Sequence, residues 1–223
     1  KVSSMQIPSL AETPVNQLAE LLLDGVHVAH IDIGAVNATV SPTPSLFNKW
    51  WENAPGFEAP KGDTTHAVFG VSPWLYGKQD GVWHSSWSRY ALDEADSVMW
   101  AGPSGIVKDS AYYRRYHQVW LLEQEQIDHH AQHFADADYE MPWAIASWRG
   151  NGNNASGEAA RLAPFADVDG NALYEPASGD YPLIRGEQAA YWMLHGEQDE
   201  EGGLDPLRFD MHVMVYAYGE HTM

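Results

Sequence analysis

Cysteine is absent from the 223 residues, so the chain can form neither a disulfide nor a thiolate metal site. A chain without thiols tolerates any redox environment, so the compartment stays open on that ground. Basic residues are few as well: 12 Lys and Arg stand against 31 Asp and Glu, a net charge of −19. A surface of that sign repels phosphate backbones and anionic lipid, so no nucleic acid is expected among its partners. Long apolar runs are also missing. Leu21-Leu22-Leu23 is the longest near the start, far short of the roughly 18 residues a membrane span needs, so no direct membrane insertion is expected. No basic segment followed by an apolar stretch opens the chain, and any signal peptide is read as already removed.

Apolar residues make up 44% of the chain and aromatic residues 12%, enough to bury a full core. That excludes a disordered or fibrous chain. Of the 31 carboxylates, 20 lie after residue 100. A carboxylate-rich, lysine-poor surface suits a salty or calcium-rich medium, where cations screen its self-repulsion; an ordinary acidic soluble protein fits equally well.

Residues 1–25 read as a loose lead-in and a short helix, with Thr13-Pro14 as N-cap and first turn and Asp24-Gly25 as the stop. From Val26 the period changes to two and runs to Val40, where Ser41-Pro42-Thr43-Pro44 breaks it. Further strands are expected at Ala67–Tyr76, Val82–Ala91, Tyr116–Leu122, Ala189–Leu194 and Leu207–Tyr218. The last places Leu207, Phe209, Met211, Val213 and Val215 on one face. Helical character is confined to Gln124–Phe134 and Pro142–Trp148 among the later segments. The expected fold is therefore mainly β, with antiparallel sheets, long loops and a few short helices, in a single domain over 26–223. Loops such as Gly150–Gly157 are long and rich in Gly and Asn, and such loops need an ion, a partner or aromatic clamps to hold them.

The strongest motif lies at 167–180: Asp167-Val-Asp169-Gly-Asn171-Ala-Leu173-Tyr-Glu175-Pro-Ala-Ser178-Gly-Asp180. Oxygen donors at alternate positions of a glycine-containing loop can converge on one hard cation, and calcium takes about 6–8 of them. The expected metal ligands are Asp167, Asp169 and Asn171, the Leu173 carbonyl and Asp180. Position 12 of the helix–loop–helix calcium pattern is Ser178 where a bidentate acid belongs, and Asp180 is its substitute. The alternative is a loop held by its own Asx turns. A second constellation is His129-His130-x-x-His133, whose first and last members share a helix face at zinc-binding spacing. The metalloprotease pattern needs Glu after the first His and this chain has His130, so a polar helix face is expected there. The third feature is ten tryptophans. Trp83 and Trp87 share one strand face, which keeps glycan binding open, although most tryptophans are expected in the core or as loop clamps. Asn154-Ala155-Ser156 is formally a glycosylation triplet and reads here as a turn-rich loop.

Several segments together resemble a known family: Gly56–Gly62, Met141–Trp148, Gly157–Gly170, Tyr174–Gln188 and Met211–Tyr218. They are similar to the large N-terminal module of secreted surface proteins of the Bacteroidota, substrates of the type IX secretion system. The likeness runs from about His30 to Tyr218 and is most specific over Gly157–Gln188. In that family an acid stands where Ser178 is found here, and the module continues beyond the strand that ends this chain. The resemblance implies an extracellular or cell-surface location rather than a chemistry, and a chain that is a fragment, a shortened relative or one subunit of an assembly.

The expected function is thus an exported, non-enzymatic structural or adhesive module stabilised by calcium, with other protein subunits, surface components or glycans as partners. Two alternatives stand beside it. One is a secreted hydrolase with a metal held by three of His117, His129, His133, His195 and His212; the other is a glycan-binding module. The strand Leu207–Tyr218, long and apolar on one face, is expected to need a pairing partner on each side.

Overall fold

A computed structural model describes residues 28–49, 52, 54–63, 66, 68–88, 99–104, 110–196 and 207–219. The lead-in expected at 1–25 lies outside the described residues. The strands, in chain order, are β1 (Ala29–Ile33), β2 (Val36–Val40), β3 (Asn48–Lys49), β4 (Ala54–Pro55), β5 (Phe57–Glu58), β6 (Trp74–Gln79), β7 (Val82–Trp87), β8 (Met99–Ala101), β9 (Trp120–Glu123), β10 (Phe165–Ala166), β11 (Tyr181–Pro182), β12 (Gln188–Gly196) and β13 (Phe209–Ala217). Among the described residues three short helices join them: α1 (Ser110–Tyr116), α2 (Gln124–His133) and α3 (Trp143–Ala146). The fold is mainly β, and every pairing between these strands is antiparallel.

The β12 strand is the axis. All nine of its residues are buried, as a strand covered on both faces requires of a near-continuous apolar run. One edge pairs with β13 over its full length, from Gln188 opposite Ala217 to Gly196 opposite Phe209. The other edge is shared by β9 along Gln188–Tyr191 and β8 along Leu194–Gly196. Period two then sorts its side chains into two cores. Ala190, Trp192 and Leu194 face the β1–β2 hairpin and pack with Ile31, Ala38 and Val40. Tyr191 and Met193 face the helices and the long loops, among Tyr112, Tyr116, Trp120, Ile145 and Trp148.

Periodicity located the long strands and erred at three places. The expected strand at 26–40 is a hairpin that turns at Gly34 (φ +57°), a conformation glycine adopts without a Cβ clash. The expected strand at Tyr116–Leu122 starts only at Trp120; its first residue, Tyr116, instead ends helix α1, which periodicity did not mark. Its tyrosines Tyr112, Tyr113 and Tyr116 recur at helical spacing and are all buried, so packing overrode the β preference of aromatic residues. Within Ala67–Tyr76 regular pairing begins only at Trp74; Val71 makes an isolated bridge to Leu46, just ahead of Ser72-Pro73. Two tryptophans act as loop clamps. Trp148 donates its indole N–H to the Pro164 carbonyl (3.1 Å), and Trp120 donates to the Ser147 hydroxyl (3.0 Å).

Candidate metal centre

The acidic loop connects β10 to β11, which are themselves paired, so its two ends are held side by side. Local chemistry then folds it. The Asp167 carboxylate accepts from the backbone N–H groups of Gly170, Asn171 and Ala172 at 2.9, 3.1 and 2.9 Å. Asp169 accepts from Asn171 N–H (3.1 Å), and Asn171 Oδ1 accepts from Leu173 N–H (2.7 Å). These are Asx turns in series, with Gly170 and Ala172 both at positive φ. At the far end Asp180 is fully buried, and its carboxylate accepts from Val168 N–H and Glu175 N–H, each at 2.8 Å.

The turns bring carboxylate oxygens of Asp167, Asp169 and Asp180 within 4.8 Å of one another, half-buried, exposed and buried respectively. Three like charges at that range repel by about 1–4 kcal/mol per pair, depending on how much water screens them. A divalent cation would turn that repulsion into attraction. The donors are all oxygen, which suits a hard cation such as calcium and disfavours zinc or copper.

The remaining sequence-named ligands lie in the same loop. Asn171 spends its Nδ2 hydrogens on Asp169 Oδ2 (2.9 Å) and Glu175 Oε2 (2.6 Å), which leaves its oxygen as the donor atom toward a cation. The Leu173 side chain is exposed, so its part could only be played by the main chain. Sequence reasoning gave no role to Glu175, an acid in register with the alternating donors. It also missed two contacts from other segments. Asn151 accepts from Tyr174 N–H (2.7 Å) and donates to the Tyr174 carbonyl (2.9 Å), so the Gly150–Gly157 loop backs the acidic loop. His130 of α2 meets the Asp180 main-chain oxygen at 3.0 Å. Burial holds that imidazole below its ordinary pKa, against a smaller opposing effect of its bond to Asp180.

The histidines are dispersed. His133 bonds Asp136 (2.7 Å) and its ring lies 4.4 Å from that of His129, His195 bonds the Gly102 carbonyl (2.8 Å), and His212 bonds the Tyr191 hydroxyl. Among the described residues the five candidate histidines form no group with ligand atoms at metal-binding range.

No protein-family model, curated protein or solved structure matches the chain. What the loop can do follows from its own donor atoms.

Proposed function

We propose that the chain is an exported, non-enzymatic structural or adhesive module of the cell surface, stabilised by calcium and working within a larger assembly. The observation that carries the reading is the convergence of Asp167, Asp169 and Asp180 within 4.8 Å, with Asp180 wholly buried. Asp167, Asp169, Asn171, the Leu173 carbonyl and Asp180 would hold the ion. Bound there, calcium would neutralise the carboxylates and tie β10, β11 and the supporting Gly150–Gly157 loop into one unit. The strongly acidic, lysine-poor composition supports a location in a calcium-rich medium, where cations screen the carboxylates. The motif resemblance to type IX secretion substrates supports the same location.

An ion that binds only the folded chain stabilises it by mass action, about 2.7 kcal/mol at a hundredfold excess over its dissociation constant. Thermal melting in calcium and in chelator tests the reading. A higher midpoint in calcium, abolished by Asp169→Ala, is expected; equal midpoints in both buffers defeat it.

A second reading, glycan binding, has one observation of its own. On the outer face of the β6–β7 hairpin Trp74, Tyr76 and Trp83 are 79, 69 and 60% exposed, and the Tyr76 and Trp83 rings lie parallel with centroids 4.7 Å apart. Exposed aromatic clusters mark interaction sites. Retardation in gels containing neutral polysaccharides, lost in Trp83→Ala, supports this reading, and unretarded migration in all of them removes it.

A further inference from the structure

The β13 edge opposite β12 carries no backbone hydrogen bond to any described residue, although the strand is nine residues long. Its neighbourhood is not a flat surface. A crevice of about 340 Å³ is lined by Met211, His212, Val213 and Met214 in sequence. Met211 and Val213 pair with Leu194 and Trp192 and share a face with them, so the crevice lies over that face of the sheet, beside the β13 edge. Leu46, Val71 and Pro73 form its far wall, and Trp192 and Leu194 contribute from β12.

One step before the strand the molecule shows how this edge is satisfied. Arg208 donates its N–H to Gln79 Oε1 (2.9 Å), and its carbonyl accepts from Gln79 Nε2 (2.7 Å). The side-chain amide there does what a peptide group of an added strand would do.

We propose that the β13 edge is a β-augmentation site for an extended segment of another protein, apolar at alternate positions and net basic. The inference rests on the assembly reading above and names how the partner docks. Main-chain bonds to the edge supply affinity, and alternate side chains entering the crevice supply selectivity. Charge decides between partners. A second copy brings the same −19 and is repelled, whereas a basic segment is attracted.

The test uses the full chain and a nine-residue synthetic peptide of alternating valine and lysine. Two controls accompany it: the same peptide N-methylated at alternate residues, and its glutamate analogue. Hydrogen exchange at Met211–Val215 is the readout, with at least tenfold slowing expected for the first peptide alone. Val71→Lys, at a half-exposed wall position, is expected to remove that slowing without moving the melting midpoint. No slowing, equal slowing by the N-methylated or glutamate peptide, or a dimer of the chain alone with this edge protected overturns the proposal. Melting the same samples in calcium and chelator separates the two failures: a calcium-dependent midpoint with an unchanged edge defeats only the docking mode.

Discussion

His130 donates its Nε2 hydrogen to the main-chain oxygen of Asp180, fifty residues away, while its Nδ1 accepts from the Tyr139 hydroxyl at 2.9 Å. A carbonyl can only accept, so the partner sets the tautomer. The buried imidazole thereby joins helix α2 to the residue that anchors the acidic loop. His130→Leu leaves the Asp180 carbonyl and the Tyr139 hydroxyl without that partner. A loss of about 1–3 kcal/mol is expected in denaturant titration.

Asp180 and Asp169 are expected to separate structure from ion binding. Asp180→Ala strips the acceptor from two loop N–H groups and should cost about 3–6 kcal/mol even in chelator, since bonds to charged groups are worth about 1.5–3 kcal/mol each. Asp169 is exposed, and Asp169→Ala should leave the chelator midpoint within about 1 kcal/mol of the parent while cancelling the calcium increment. Melting both variants in both buffers checks the pair.

Partial desolvation holds the His212 imidazole below its ordinary pKa, partly offset by Asp210. The folded chain therefore binds this proton less readily than the unfolded one. The stability tied to the neutral ring is present above the unfolded value near 6.5 and is lost as pH falls from there toward the folded value. His212→Gln should flatten the slope of unfolding free energy against pH just below about 6.5. An unchanged slope would show that Tyr191 and its surroundings accommodate the charged ring.

Gly150 is required for close approach rather than for backbone freedom. A Cβ there would lie 2.5 Å from Tyr174 Cβ and 2.8 Å from Phe165 Cδ1. Gly150→Ala must push the supporting loop off the acidic loop, at a cost of about 1–3 kcal/mol. Weakened calcium stabilisation in the same variant is the second expected readout.

What the sequence determined by itself is what short-range chemistry decides. Alternating apolar residues placed β13 almost to its ends, and the apolar run Ala189–Leu194 marked the strand that became fully buried, because side-chain period and burial are local properties. Asp167, Asp169 and Asn171 were legible for the same reason: Asx turns span two to five residues. Tertiary structure alone decided the rest. Of helix α1 only Tyr116 was read, and as strand; its tyrosines pack together in the core, since aromatic residues serve either element and the core chooses. The burial of Asp180, its link to His130 and the support from Asn151 depend on segments 23 to 50 residues apart. That β13 pairs with β12 along one edge and with no described strand along the other depends on the order of strands in the sheet. No local pattern encodes these distances, because long-range neighbours are selected by the shape of the packed core and not by the residues on either side.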